Sequence, residues 1–214
     1  MAPTAGSCLL AVPLGSTEQH GPHLPFTTDT DIAARLAEGL ARARHDVVVA
    51  PALPFGSSGE HAGFPGTLSI GAAALECVVV ELVRSADAFA GVVLVSAHGG
   101  NAEPLAAAVV TLRHEGRRVL PWSPRIAGGD AHAGRTETSM MLAVRREAVA
   151  LDRAEAGERC PIEELMPRLR AGGVAAVAPN GVLGDPAGAT AEEGEALLDG
   201  LLADLVAAVD GWRW

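Results

Sequence analysis

The feature that most constrains this chain is the run Val92-Val93-Leu94-Val95, opened by Gly91 and followed, after Ser96-Ala97, by His98-Gly99-Gly100. A strand with one wet face alternates apolar and polar side chains, so a run apolar at every position has to be covered on both faces. Cys8 to Leu14, closed by Gly15, and Asp46 to Ala52, closed by Pro51 and Pro54, have the same character. Helical period fills the gaps between them: Asp29 to Arg44 carries Ile32, Leu36 and Leu40 four apart, and Ala72 to Ala90 carries Val79, Leu82 and Val83. Strand and helix in alternation give a parallel sheet with helices on both faces. The pattern predicts further helices over Glu103–Glu115, Glu137–Arg146 and Glu192–Val209, and strands over Arg118–Trp122 and Val174–Val177. The expected fold is α/β, a three-layer α/β/α sandwich with a mostly parallel sheet. At 214 residues and 49% hydrophobic composition one core suffices, so a single domain over 1–214 is expected.

Charge removes several functions. Sixteen basic residues, all arginine, face 26 acidic ones for a net charge of −10, and no basic cluster exceeds a pair such as Arg117-Arg118. Nucleic acid and anionic membrane are therefore not expected partners. Lysine and tyrosine are absent, which excludes lysine nucleophiles, Schiff bases and tyrosine acids. Cys8, Cys77 and Cys160 are scattered and form no CxxC pair, the usage of a reducing compartment, so a cytoplasmic protein is expected. Met1 to Ser7 lacks the basic start of a leader, and no apolar run reaches the roughly 18 residues of a spanning helix.

Polar residues gather where the strands end. Leu14 leads into Gly15-Ser16-Thr17-Glu18-Gln19-His20-Gly21-Pro22-His23-Leu24-Pro25, and Asp29 heads the next helix. In extended chain, residues two apart point the same way, which aims Glu18 and His20 at one place. His98 arrives from the end of another strand, and ligands of open α/β sheets bind at the carboxyl ends of strands. One histidine at a strand end is usually a loop residue; Glu18, His20, Asp29 and His98 together form a mixed N/O donor set for zinc, iron(II) or manganese. An aspartate between two ions could bridge them. Other motifs fall away: HExxH is missing, Gly56-Ser57-Ser58-Gly59 lacks GxSxG spacing, and a P-loop needs the absent lysine. The loop Phe55 to Thr67 is either an ordered surface loop or a substrate-binding one acting through Ser58, Glu60 or His61. His132 and Glu137 flank a helix start and could shuttle a proton, with Thr136 as an ordinary N-cap.

Together, Ser16 to Pro25 with Asp29, His98-Gly99-Gly100-Asn101, His132-Ala133-Gly134 leading to Glu137-Thr138-Ser139, and Gly184-Asp185-Pro186 resemble the creatininase family from about Pro13 to Gly194. The resemblance implies a creatininase-like three-layer fold, hydrolysis of a C–N bond, and a homo-oligomer. It also implies two divalent ions (Zn2+ or Fe2+, with Mn2+ a further candidate) on Glu18, His20, Asp29 and His98, bridged by Asp29. Two departures stand out. Creatininase proper has a carboxylate where this chain has Gly100 and an aromatic substrate contact where it has Gly128, which argues against creatinine and leaves one ion a ligand short. Glu137 is expected to supply that ligand. Gly56 to His61, Gly129 to Gly134 and Gly172 to Val177 look most like the peptide-trimming branch of the family. The expected substrate is then a modified precursor peptide, cut to release its modified C-terminal Val-Tyr pair, with Arg135 beside His132 as a contact. The alternatives are a family amidohydrolase or formamide deformylase acting on a small molecule, and a non-catalytic metal-binding protein.

Overall fold

The computed structural model describes residues 5–213; residues 1–4, part of the Met1 to Ser7 stretch considered above, and residue 214 lie outside them. Four strands, β1 (Leu9–Leu14), β2 (Val47–Val49), β3 (Gly91–Ser96) and β4 (Val119–Trp122), form one parallel sheet in the order β2-β1-β3-β4. β1 and β3 lie at its centre, pairing from Leu9↔Gly91 to Leu14↔Ser96. Their side chains alternate between two cores, as a strand covered on both sides requires. Ala11, Val93 and Val95 face a cluster with Ile32, Leu36 and Leu40 of α1 (Thr28–Ala43), Met140 and Met141 of α4 (Arg135–Val144), and Leu198, Leu201 and Leu205 of α6 (Ala191–Asp210). Val12, Leu14, Val92 and Leu94 face the other cluster, with Leu75 and Val79 of α2 (Ala72–Ser85) and Leu105 and Leu112 of α3 (Ala102–His114). Helices on both faces of the sheet make the three layers expected from sequence.

Several boundaries differ. Val174–Val177 is not a strand: Val174–Ala176 is a 3-10 turn, because Val174, Val177 and Ala178 pack on Leu165 in a third apolar cluster away from the sheet. Leu165 belongs to α5 (Ile162–Gly172), a helix the periodicity did not reveal, with Pro167 inside it. α2 ends at Ser85 rather than Ala90, where Ala86 to Phe89 form a turn closed by Phe89 N–H to the Ala86 carbonyl at 2.9 Å. α4 begins at Arg135, two residues before Glu137, for a reason given below. Among the described residues no helix is long and apolar enough to cross a membrane.

Candidate metal centre

All four strand ends deliver chain to one place. Beyond β1 the backbone of Gly15 passes so close to α1 that a Cβ there would lie 2.3 Å from Thr30 Oγ1 and 2.4 Å from its backbone, so only glycine fits. That approach sets Asp29, in the first turn of α1, beside the Ser16 to His23 segment. Ser16 Oγ donates to Asp29 Oδ2 at 2.6 Å, and His20 Nε2 lies 3.2 Å from Asp29 Oδ1. From the end of β3, His98 Nδ1 comes within 3.2 Å of Asp29 Oδ2 and 3.3 Å of Glu18 Oε1. The segment after β2 adds His61, whose Nε2 is 3.3 Å from Glu18 Oε1. The segment after β4 adds His132, whose ring is tilted 38° against that of His20 with centroids 4.3 Å apart, and Glu137, whose Oε2 is 3.9 Å from His20 Nε2. The family of donors that the sequence pointed to, Glu18, His20, Asp29 and His98, is thus gathered together.

The residues fit a metal. Glu18 is 1% exposed and neither carboxylate oxygen accepts a hydrogen bond, an expense that a buried anion bears only when something positive meets it. Donor atoms of Glu18, His20 and Asp29 lie within 4.8 Å of one another, as do those of His20, His132 and Glu137, and of Glu18, His61 and His132. The outer nitrogens of two rings are anchored on backbone: His20 Nδ1 donates to the Glu18 carbonyl at 3.1 Å and His98 Nε2 to the Ser57 carbonyl at 3.0 Å. This leaves His20 Nε2 and His98 Nδ1 facing the carboxylates, the arrangement by which second partners orient ligating imidazoles.

Electrostatics agree. Burial pulls the His20 imidazole down, but Asp29, with Glu137 and Glu18, outweighs it and raises the pKa to about 10. His98 is raised likewise by Asp29 and Glu18 against burial, and the two imidazoles in turn hold Asp29 well below the carboxylate range despite its burial. Without metal, then, the carboxylates are balanced by protons on two rings. Burial lowers His61 to about 4, holds His132 well below the ordinary imidazole value, and raises Glu137 to about 7.

Other expected residues land differently. The space beside Gly100 is filled by Glu60 and Ser57, since a Cβ there would lie 2.3 Å from Glu60 Oε1 and from the Ser57 carbonyl. Glu137 enters the cluster from the His20 side instead, and its Oε2 also accepts the Ala133 N–H at 2.6 Å. Glu60 Oε1 is 3.5 Å and Ser58 Oγ 3.4 Å from His98 Nε2, so both border the cluster. Arg135 turns away: its guanidinium pairs with Glu193 of α6 at 2.8 Å, outside the donor cluster. Thr136 is not the N-cap. Asp130 does that work, accepting the N–H groups of Arg135 and, at 2.9 Å, Thr136, which starts α4 two residues early. In the turn just before the helix, Ala133 has a φ of 52°, unusual for a residue with a side chain, and its N–H is held by Glu137. Sequence reasoning gave no role to Asp130, Ser16 or Gln19; a carboxylate five residues before a helix start and two polar residues flanking Glu18 within one motif were the signals available.

Comparison with known proteins places these observations in context. The family described as "Creatininase: Creatinine amidohydrolase" matches residues 2–209. A mycofactocin precursor peptide peptidase of Mycolicibacterium smegmatis is 50% identical over 212 residues, covering 96% of this chain and 85% of that one. The creatinine amidohydrolase of Pseudomonas putida is 31% identical over 180 residues, covering 70% of this chain and 69% of that one. Among solved structures, a mutant creatininase superimposes with a TM-score of 0.79 at 26% identity, over 95% of this chain and 90% of the other. A mutant creatininase of Zn-Zn type (27% identity, 95% and 90% covered) and a structure named Creatininase Mn (28%, 96% and 91%) each give 0.74.

Proposed function

The chain belongs to the creatininase family and is a hydrolase of amide bonds, and from that premise we propose that it releases the modified C-terminal Val-Tyr dipeptide from the mycofactocin precursor peptide. The reading takes the whole chain, 1–214, as one creatininase-like domain. The observation that carries the metal chemistry is Glu18: buried, without a hydrogen bond, and set between Asp29 and rings whose outer nitrogens are already anchored. Glu18, Asp29 and His98 would hold one divalent ion, and His20, Asp29 and Glu137 the other, with Asp29 shared. When bound, such ions supply Lewis acidity, lowering the pKa of water from about 15.7 towards 7 and polarising a carbonyl. Zinc or iron(II) suits this donor set, and manganese is the further candidate.

The protein's own residues then position the peptide and move the proton. His132 donates through Nε2 to the Gln19 carbonyl at 2.9 Å, which leaves the Nδ1 lone pair turned inward, 3.9 Å from Glu18 Oε1. That nitrogen takes the proton of the attacking water and hands it to the leaving amide nitrogen. Glu137, raised by burial to about 7, is the neighbouring group whose pKa suits proton transfer near neutrality. Ser58 and Glu60 line the approach from the loop after β2. Phe26, Phe55 and Leu68, between 40% and 58% exposed, belong to the segments that bound the cluster, and the Phe26 ring packs on Gly66 of the same loop. Apolar side chains there suit an apolar dipeptide end better than a nucleotide phosphate. Three free thiols, Cys77 and Cys160 exposed, support a reducing, cytoplasmic setting, and the family resemblance supports a homo-oligomer.

The test is incubation of zinc- or iron-loaded protein with modified and unmodified precursor, read by mass spectrometry. Dipeptide should appear from the modified form alone. Equal cleavage of both, or deformylase turnover with neither peptide cut, overturns the assignment. His132→Ala should lower kcat by about 10²–10⁴ and leave both metals bound.

A further inference from the structure

The four imidazoles at the centre do not present the same atom to it. His20 and His98 anchor an outer N–H on a backbone carbonyl and turn inward the nitrogen that a metal would take in place of a proton. His61 is wired the other way, and Gln19 is the reason. The Gln19 amide is oriented by two backbone groups: its Oε1 accepts the Gly21 N–H at 2.9 Å, and its Nε2 donates to the Gly181 carbonyl at 3.1 Å. One Nε2 hydrogen remains. Its two neighbours are His61 Nδ1 at 2.8 Å and His132 Nε2 at 3.2 Å, but His132 Nε2 is already a donor to the Gln19 carbonyl and has no lone pair to offer. The hydrogen therefore goes to His61 Nδ1. A ring that accepts at Nδ1 carries its single proton on Nε2, so His61 aims an N–H inward, 3.3 Å from Glu18 Oε1.

An N–H cannot ligate a metal. Although Glu18, His61 and His132 bring donor atoms within 4.8 Å, the tautomer removes His61 from the ligand set. The residue is also well held: His61 is 3% exposed, its backbone N–H bonds the Ser58 carbonyl at 3.1 Å, and its backbone carbonyl accepts from Phe64 N–H at 3.3 Å. A rigid, neutral N–H donor, buried beside a carboxylate that accepts no hydrogen bond, is what a developing oxyanion needs.

We propose that His61 is a catalytic residue that donates its Nε2–H to the carbonyl oxygen of the scissile amide as that oxygen gains negative charge, with Gln19 as the positioning residue that fixes the tautomer. The proposal rests on the amide-hydrolase reading above. In the step it serves, the oxygen of water bonds to the carbonyl carbon, the C–N bond breaks, and a proton from the water ends on the leaving nitrogen. His61 gives up no proton in this step; it lends a hydrogen bond that strengthens as the C=O bond lengthens.

The test combines two readouts. In zinc-loaded protein with ¹⁵N-labelled histidine, His61 should show a protonated, pyrrole-type Nε2 and a pyridine-type Nδ1, and His61→Ala should keep the wild-type number of metal ions per chain. A metal-coordinated Nε2, a proton on Nδ1, or loss of an ion in His61→Ala overturns the assignment. On the peptide substrate, His61→Ala should lower kcat by about 10²–10³ with KM little changed. His61→Gln, which carries an amide N–H at comparable reach and fills more of the site, should recover part of that loss. Equal damage in both variants, or unchanged kcat in His61→Ala, overturns the catalytic role. If wild-type protein cleaves no amide at all, the amide-hydrolase reading and the oxyanion role fall together, whereas the ¹⁵N and metal readouts still decide on their own whether Gln19 makes His61 a donor or His61 is a ligand.

Discussion

Asp29 is the residue on which the centre turns, because Ser16, His20 and His98 all address it and its two oxygens face different rings. A carboxylate shared by two ions serves both, so Asp29→Ala should empty both positions, while Glu18→Ala and His20→Ala should each leave one ion per chain. Metal analysis of protein purified from metal-replete medium checks this, and equal loss in all three variants would argue against sharing. Glu137→Gln divides its two roles in the same assay. Loss of one ion marks a ligand; retention of both with loss of turnover marks a proton carrier. The principal donors were legible because each sits in a short motif at a strand end, where spacing alone places it. Gln19 was not, since its importance lies in which atoms of Gly21, Gly181, His61 and His132 surround one amide, and Gly181 and His132 are more than a hundred residues away in sequence.

At the scale of elements, those whose apolar pattern agrees with their burial were readable, the short β4 included, while α5 and the first turn of α4 were not. β3, α3 and α6 fall within a residue or so of their expected limits because apolar period and burial agree there. α5 was missed since only Leu165 of its eleven residues is buried and Pro167 interrupts the pattern, and Val174 and Val177 read as strand because β-branched residues do so unless a local cluster claims them. The start of α4 depends on Asp130 and on α6: Glu193 accepts from Ser139 Oγ at 2.8 Å and pairs with Arg135, so the helix that carries Glu137 is fastened at its first turn. Gly194 makes that contact possible, because a Cβ on it would lie 1.9 Å from the Ser139 carbonyl. Gly194→Ala should destabilise the protein by about 1–3 kcal/mol in spite of alanine's helix propensity, lowering Tm by about 2–10 °C. Thermal unfolding of metal-free protein reads it, and a raised Tm would show that the two helices are not in close contact.

For the whole molecule, metal and proton compete for the same interior. In metal-free protein His23 and His61, lowered to about 4, and His132, held well below its ordinary value, bind protons when unfolded but not when folded, so stability falls as pH drops below 6.5. His20, raised to about 10, and His98 act in the opposite sense: their contribution is complete below 6.5 and is lost as pH rises through the folded value. Stability of the metal-free protein should therefore peak near pH 6.5. Metal displaces the protons on His20 and His98, so the loaded protein should not weaken on the alkaline side. Urea midpoints at several pH values with and without chelator test both limbs. At a metal concentration 100 times the dissociation constant, stability should rise by about 2.7 kcal/mol, or about 5–10 °C in Tm. The sheet order was not readable from the sequence, because nothing in a buried apolar run names its neighbour; pairing is fixed only when the connecting helices pack. The fastening of α4 by α6 also bears on biosynthesis. β1 has β2 to pair with before β3 is made, and the turn bearing Glu137 waits for Glu193, which is synthesised 56 residues after it (193 − 137). A nascent chain can thus gather Glu18, His20, Asp29 and His98 well before it can lock Glu137 in place, so cells starved of metal during translation should still yield protein able to take up its full complement after release.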